Sequence, residues 1–241
     1  MSDAYLSPFT GNQVDEAVRR VHSGETGAGS TELLNKLSAW YDDEHYTPMT
    51  GILVMTPSTT TYEIGTSPRV TFNWTFDKTP SEVTFGGISQ DPVSSGTVTK
   101  TISSLSDSSF SYTLFGKYVD QKTGKIDTVS RSVAINFRNK YYYGCAAKPT
   151  VINGNFIKTL STSGWATIKT ASFTANCEKD EYIWYAYPAR LGKVTTFMNN
   201  WEGGFDEPTV VQVTNGSGFT EDYYVYRSTN SGIGSQNILA E

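Results

Sequence analysis

The sequence is poor in the residues that most enzyme chemistry needs. Its 241 residues hold two histidines, His22 and His45, and two cysteines, Cys145 and Cys177. Two cysteines cannot build a repeated C-x-x-C metal site or a disulfide-dense scaffold. No serine sits in a G-x-S-x-G elbow and no nucleophile stands near either histidine, so a catalytic triad is unsupported. No apolar run approaches the ~20 residues that span a bilayer. The opening residues, MSDAYLSPFT, lack the basic-then-apolar order of a secretory leader. Folding in a cytoplasm is therefore expected, with Cys145 and Cys177 as buried thiols rather than the one bridge they could form.

Charge is also sparse. Charged residues make up 18% of the chain and the net charge is -5. No dense run of Lys and Arg offers the counterion release that nucleic acid or anionic lipid binding draws on. Catalytic, cofactor-binding and metal-binding residues are each read as none, and neither nucleic acid nor membrane insertion is expected.

Aromatic and turn-forming residues are plentiful instead, with 15 Tyr, 12 Phe, 5 Trp and 21 Gly. That balance suits sheets joined by many turns. Only the first part reads as helix. Thr10 and Gln13 have capping-box spacing, and Val14, Ala17, Val18 and Val21 then fall on one stripe. After the glycine-rich stretch from Gly24 to Gly29, Ser30 is the expected N-cap of a second helix. Its stripe is Leu33, Leu34, Leu37 and Trp40 or Tyr41, and it must end before Pro48. Neither helix is long enough to stand alone in water, so each stripe needs a cover. These eight positions, Val14, Ala17, Val18, Val21, Leu33, Leu34, Leu37 and Trp40, are the expected partner-docking residues.

From residue 49 the period changes to two. Val70, Phe72, Trp74 and Phe76 alternate with polar residues, and Phe110, Tyr112 and Leu114, then Val133, Ile135 and Phe137, repeat the pattern. Turn signals lie at Gly65 to Pro68, at Gly86-Gly87 and at Lys122 to Lys125. About ninety residues with some seven short strands have the rhythm of an immunoglobulin-like sandwich. Beyond 140 the strands become more aromatic. Glu181 to Tyr187 is apolar on both faces, as for a central strand, and Pro188 closes it. Further strands are expected at Trp165–Thr174, Lys193–Met198, Thr209–Thr214 and Tyr223–Arg227. The expected fold is mainly β: a helical segment over 1–48, then two antiparallel Ig-like β-sandwiches over 49–140 and 141–241.

Several motifs invite chemistry and give it little support. Gly24 to Thr31 has P-loop spacing, but Ser30 stands where the phosphate-binding lysine belongs and a helix, not a strand, precedes it. It reads as a helix–helix linker. Glu202 with Asp206 and Glu207, beside Trp201 and Phe205, has the residue types of a glycosidase pair, yet Gly203-Gly204 marks a loop where acids are usually solvated. The Asp42-Asp43-Glu44 run ends a helix with the wrong sign for its dipole, so solvent or basic partners are expected there. Tyr141–Tyr143 and Tyr223, Tyr224 and Tyr226 put tyrosines on both strand faces, either for core packing or for ligand contact. Trp201, Phe205, Tyr224 and Tyr226 are the candidate receptor or glycan contacts.

The segment Tyr5-Leu6-Ser7-Pro8-Phe9-Thr10-Gly11-Asn12-Gln13-Val14-Asp15-Glu16-Ala17-Val18 resembles a short motif near the start of phage tail-fibre and related proteins. The carboxy half resembles a module of phage tail and virion proteins. Its marks are Asn136–Gly144 (NFRNKYYYG), Tyr185–Gly192 (YAYPARLG), Gly203-Gly204-Phe205 and Tyr224–Ser228 (YVYRS). The resemblance implies a non-enzymatic structural protein of a tailed-bacteriophage virion, built on β-sandwiches and often a homo-oligomer. Its expected partners are other virion proteins of tail, portal, neck or capsid. An adhesin that binds a host receptor or glycan is the alternative, and a polysaccharide hydrolase ranks last.

Overall fold

The computed structural model describes residues 28–198 and 203–241. The first apolar stripe, Val14 to Val21, and Trp201 and Glu202 of the acidic loop lie outside the described residues. Helix α1 spans Ala28–Glu44. It begins two residues before the expected cap, so Ser30 stands inside the helix and does not open it. It stops four residues short of Pro48, as the steric demand of proline requires.

The remainder is mainly β. In chain order the strands are β1 (Gly51–Thr56), β2 (Thr61–Glu63), β3 (Arg69–Phe76), β4 (Glu82–Phe85), β5 (Ile88–Gln90), β6 (Ser95–Thr101), β7 (Ser108–Val119) and β8 (Ile126–Ala147). A one-turn helix α2 (Gly154–Lys158) precedes β9 (Thr162–Ala166), β10 (Ala171–Cys177) and β11 (Glu181–Pro188). A 3-10 turn at Ala189–Leu191 leads to β12 (Phe197–Met198), β13 (Thr209–Thr214), β14 (Thr220–Arg227) and β15 (Gly234–Ala240). Two expected strands come out differently. Trp165–Thr174 divides between β9 and β10, and Lys193–Met198 shrinks to the two residues of β12.

The described residues gather into two compact units: 28–52, 74–96 and 113–131 in one, and 53–73, 97–112 and 132 onward in the other. Strands β1, β3, β6, β7 and β8 each supply residues to both. Strand β8 runs 22 residues unbroken through position 140, where the change of composition suggested a boundary.

In the first unit β4 pairs antiparallel with β7 and with β5. Gly86 and Gly87, at φ 57° and 78°, close the β4–β5 hairpin with the left-handed backbone that a two-residue turn demands. Trp74, Phe76, Val83, Phe85, Leu114 and Val129 form its buried interior. A Cβ on Gly96 would stand 2.2 Å from the Trp74 indole, so only glycine lets that ring lie flat.

In the second unit β13, β14, β11 and β8 follow one another in one sheet, with β9 also on β8, and β10, β15 and β12 form another. Strand β11 is the hub. Ile183, Tyr185 and Tyr187 enter a cluster with Phe173, Ala175, Ile238 and Tyr226. Trp184 and Ala186 enter the opposite cluster, with Tyr142, Val211, Tyr223, Val225 and Ile157 of α2. A strand covered on both faces must be apolar at every position, and Ile183 through Pro188 are all buried. Three of the large rings here have partners for their polar tips. Trp184 Nε1 donates to Ala146 O at 3.0 Å, Tyr185 Oη to Lys169 O at 2.9 Å and Tyr223 Oη to Lys140 O at 2.8 Å.

Candidate functional site

The second docking stripe lies on α1, and its described side chains are exposed or half-buried. None of residues 34–44 is buried, and Leu34 and Tyr41 are 47% and 56% exposed. Leu37 and Trp40 are half-buried, and Leu33 lies on the same helix.

The carboxyl end of α1 is held firmly. Lys125 pairs with Asp43 at 2.6 Å and Lys122 with Asp42 at 3.4 Å. Part of the acidic run is thus answered from within the chain. His45 stacks on Tyr41 with ring centroids 3.9 Å apart. Tyr46 Oη donates to Asp127, whose carboxylate also accepts the Met49 N–H at 2.8 Å. Thr50 N donates to Asp77 at 2.7 Å, and Lys78 Nζ donates to Thr47 O. The Lys78 ammonium lies 4.3 Å from the Tyr46 ring centroid and 4.8 Å from that of Tyr118, close enough for cation–π attraction. The accepting carboxylate lifts the Tyr46 hydroxyl above the ordinary tyrosine range. The two lysines sit on a turn closed by Asp120, which accepts from Lys122 N and Thr123 N and is held below the usual carboxylate range by those donors.

Of the expected ligand-contact residues, the three described, Phe205, Tyr224 and Tyr226, meet at one apolar cluster of the second unit. Tyr226 is 3% exposed, and its Oη accepts the Val194 N–H at 2.9 Å, so its ring is core and not a contact face. Tyr224 is half-buried against the same cluster. Phe205 stacks on Phe197 at 4.0 Å. Asp206 is ion-paired with Arg227, while Glu207 has a 91% exposed side chain beside Lys193. The described part of the acidic loop shows paired and solvated carboxylates.

A polar cluster in the second unit had no signal in the sequence. Arg190, in the 3-10 turn, bonds Asp107 at 2.5 Å and Glu221 at 2.8 Å. Asn139, 3% exposed, donates to the other Glu221 oxygen. Burial raises the Glu221 carboxyl above its usual range, against the pull of Arg190. The residues come from four separate stretches, which no spacing rule connects.

Cys145 and Cys177 are bonded to each other. This corrects the expectation of two thiols. Cα atoms 5.2 Å apart on β8 and β10 meet the geometric requirement that spacing along the chain leaves open. The bridge borders a cleft of about 470 Å³ lined by Tyr143, Gly144, Thr162, Asn176, Glu178 and Glu181, among others. Glycine suits position 144, where φ is 154° and a Cβ would stand 3.1 Å from the Ser161 backbone nitrogen. No group of three or more potential metal ligands gathers among the described residues. No helix among them is long and apolar enough to cross a membrane. Compared with family models, with curated proteins and with solved structures, the chain matches none.

Proposed function

We propose that this chain is a non-enzymatic structural component of a tailed-phage particle, in its tail, fibre, neck or baseplate, docked through its N-terminal helices onto another virion protein. In this reading two immunoglobulin-like sandwiches stand behind the anchor, the chain self-associates, and assembly takes place in the bacterial host cytoplasm. The phage setting rests on the Tyr5–Val18 segment and the carboxy-terminal motifs.

The observation that carries the docking is α1 itself, with Leu34 and Tyr41 in solvent while its far end is held by Lys122 and Lys125 and the segment after it by Asp127. A helix fixed at its base has less orientational freedom to lose when its stripe is covered. Each apolar side chain then buried contributes ~1.5–3 kcal/mol before ordering costs.

Replacing Val18 and Leu34 together by aspartate tests it. The double variant should be missing from purified particles, while the far-ultraviolet circular dichroism of its β region is unchanged. Incorporation at the normal level would overturn the anchor.

A further inference from the structure

The cleft beside the disulfide is bounded by backbone that lacks a strand partner. Strand β10 lies at the end of its sheet and pairs only with β15 among the described residues. Along its seven residues, alternate N–H and C=O groups therefore point away from the ladder. On the facing wall, pairing of β8 with β9 stops at Tyr143 opposite Thr162. From Gly144 to Ala147, β8 has β11 on one side and, among the described residues, no ladder on the other. Cys145 and Cys177 join the two walls, so the gap is preformed.

Edge strands that avoid company carry lysine, proline or a bulge. Strand β10 reads Ala-Ser-Phe-Thr-Ala-Asn-Cys, with no charge and no proline. Glu178 and Glu181 are part of its lining, and no lysine or arginine lines the cleft. Glu181 Oε2 accepts the Glu178 N–H at 2.9 Å, and neither carboxylate has an ion-pair partner among the described residues. An anion is repelled there. A sugar ring would want a free aromatic face, but the one ring in the lining, Tyr143, already packs on Phe173 at 4.6 Å.

We propose that this cleft is a strand-addition site, which takes an extended peptide of a partner protein along β10 and directs one of its Lys or Arg side chains to Glu178 and Glu181. Main-chain hydrogen bonds to the open edge supply attachment, and the carboxylates choose the register and the partner. The site is independent of α1, and it is tested on the isolated, disulfide-intact chain, so its failure leaves the docking reading where it stands.

The probe is a displayed library of random nine-residue peptides, followed by anisotropy with fluorescein-labelled winners. Enriched peptides should alternate β-branched residues with Lys or Arg and should slow amide hydrogen exchange over 171–177. N-methylation of one alternate set of peptide amides should abolish binding, while methylation of the other set leaves it intact. The E178Q/E181Q variant keeps an acceptor for the Glu178 N–H and should bind roughly tenfold more weakly. Absence of any enriched peptide, exchange protection elsewhere, indifference to N-methylation or unchanged affinity of the double variant would each overturn the proposal. So would maltose or cellobiose binding in the cleft, or sedimentation showing a dimer in which β10 meets a second copy of itself.

Discussion

Tyr46 and Asp127, 81 residues apart in sequence, are joined by a hydrogen bond from the phenol to the carboxylate. The same carboxylate holds the Met49 N–H. One side chain on β8 thus secures the segment that follows α1. Asp127→Ala removes the one oxygen that accepts both bonds. Hydrogen exchange at Met49 and Thr50 should quicken and proteases should cut within 45–50, while 132–198 keeps its protection. Asp127→Asn retains an oxygen acceptor and should give a smaller change. Equal exchange rates in wild type and the alanine variant would show that Asp127 does not hold this segment.

The Cys145–Cys177 bridge closes a loop with a sequence separation of 32. Confining that loop in the unfolded chain corresponds to about 3–4 kcal/mol on the chain-entropy model. A Cys145→Ala/Cys177→Ala variant should lose stability of that order in urea unfolding. A reducing agent should destabilise the wild type and leave the variant unaffected.

Trp184 and Trp165 separate burial from aromatic character. Trp184 is 0% exposed and is held by Phe156 at 4.8 Å and by its bond to Ala146 O. Trp165 is 38% exposed, with the Lys140 ammonium over its ring at 6.0 Å. Trp184→Ala should cost ~3–5 kcal/mol by leaving a cavity, and Trp165→Ala less than about 1 kcal/mol. Similar unfolding midpoints for the two variants would contradict the packing described.

Glu221 makes stability depend on pH. Burial raises its carboxyl in the folded chain, so the folded state binds the proton more tightly than the unfolded state. The stability from that preference is complete below the ordinary carboxylate range and is lost as pH rises through the raised value. Glu221→Gln removes the titration. Urea midpoints of the wild type relative to this variant should therefore fall as the pH is raised from ~4 to ~7, taking the ordinary glutamate value as the lower bound. A constant difference would rule out the coupling.

Much of the sheet was legible because strand formation is a local property. Val70, Phe72, Trp74 and Phe76 alternate in the sequence and are the buried positions of β3. Glu181 to Tyr187 announced a strand covered twice, and two clusters do meet on it. Less was legible where context outweighs pattern. Thr162 to Ala166 earns its strand by lying against Lys140, Tyr141 and Tyr142, and the pairing ends before the residues of β10. The Tyr224 and Tyr226 pair left both core and surface open, with core the commoner fate, because a tyrosine serves in both. Only the neighbour at Val194 shows which holds for Tyr226.

By itself the sequence determined a mainly β chain behind a helix that stops before Pro48, since periodicity, turn glycines and proline sterics act over a few residues. The tertiary structure alone decided that Cys145 meets Cys177, that Arg190 gathers Asp107 and Glu221, and that β10 pairs with β15 alone among the described residues. Those outcomes depend on which distant strands pair and in what register. A one-residue shift in register turns every side chain to the other face, and nothing local to either strand records the choice.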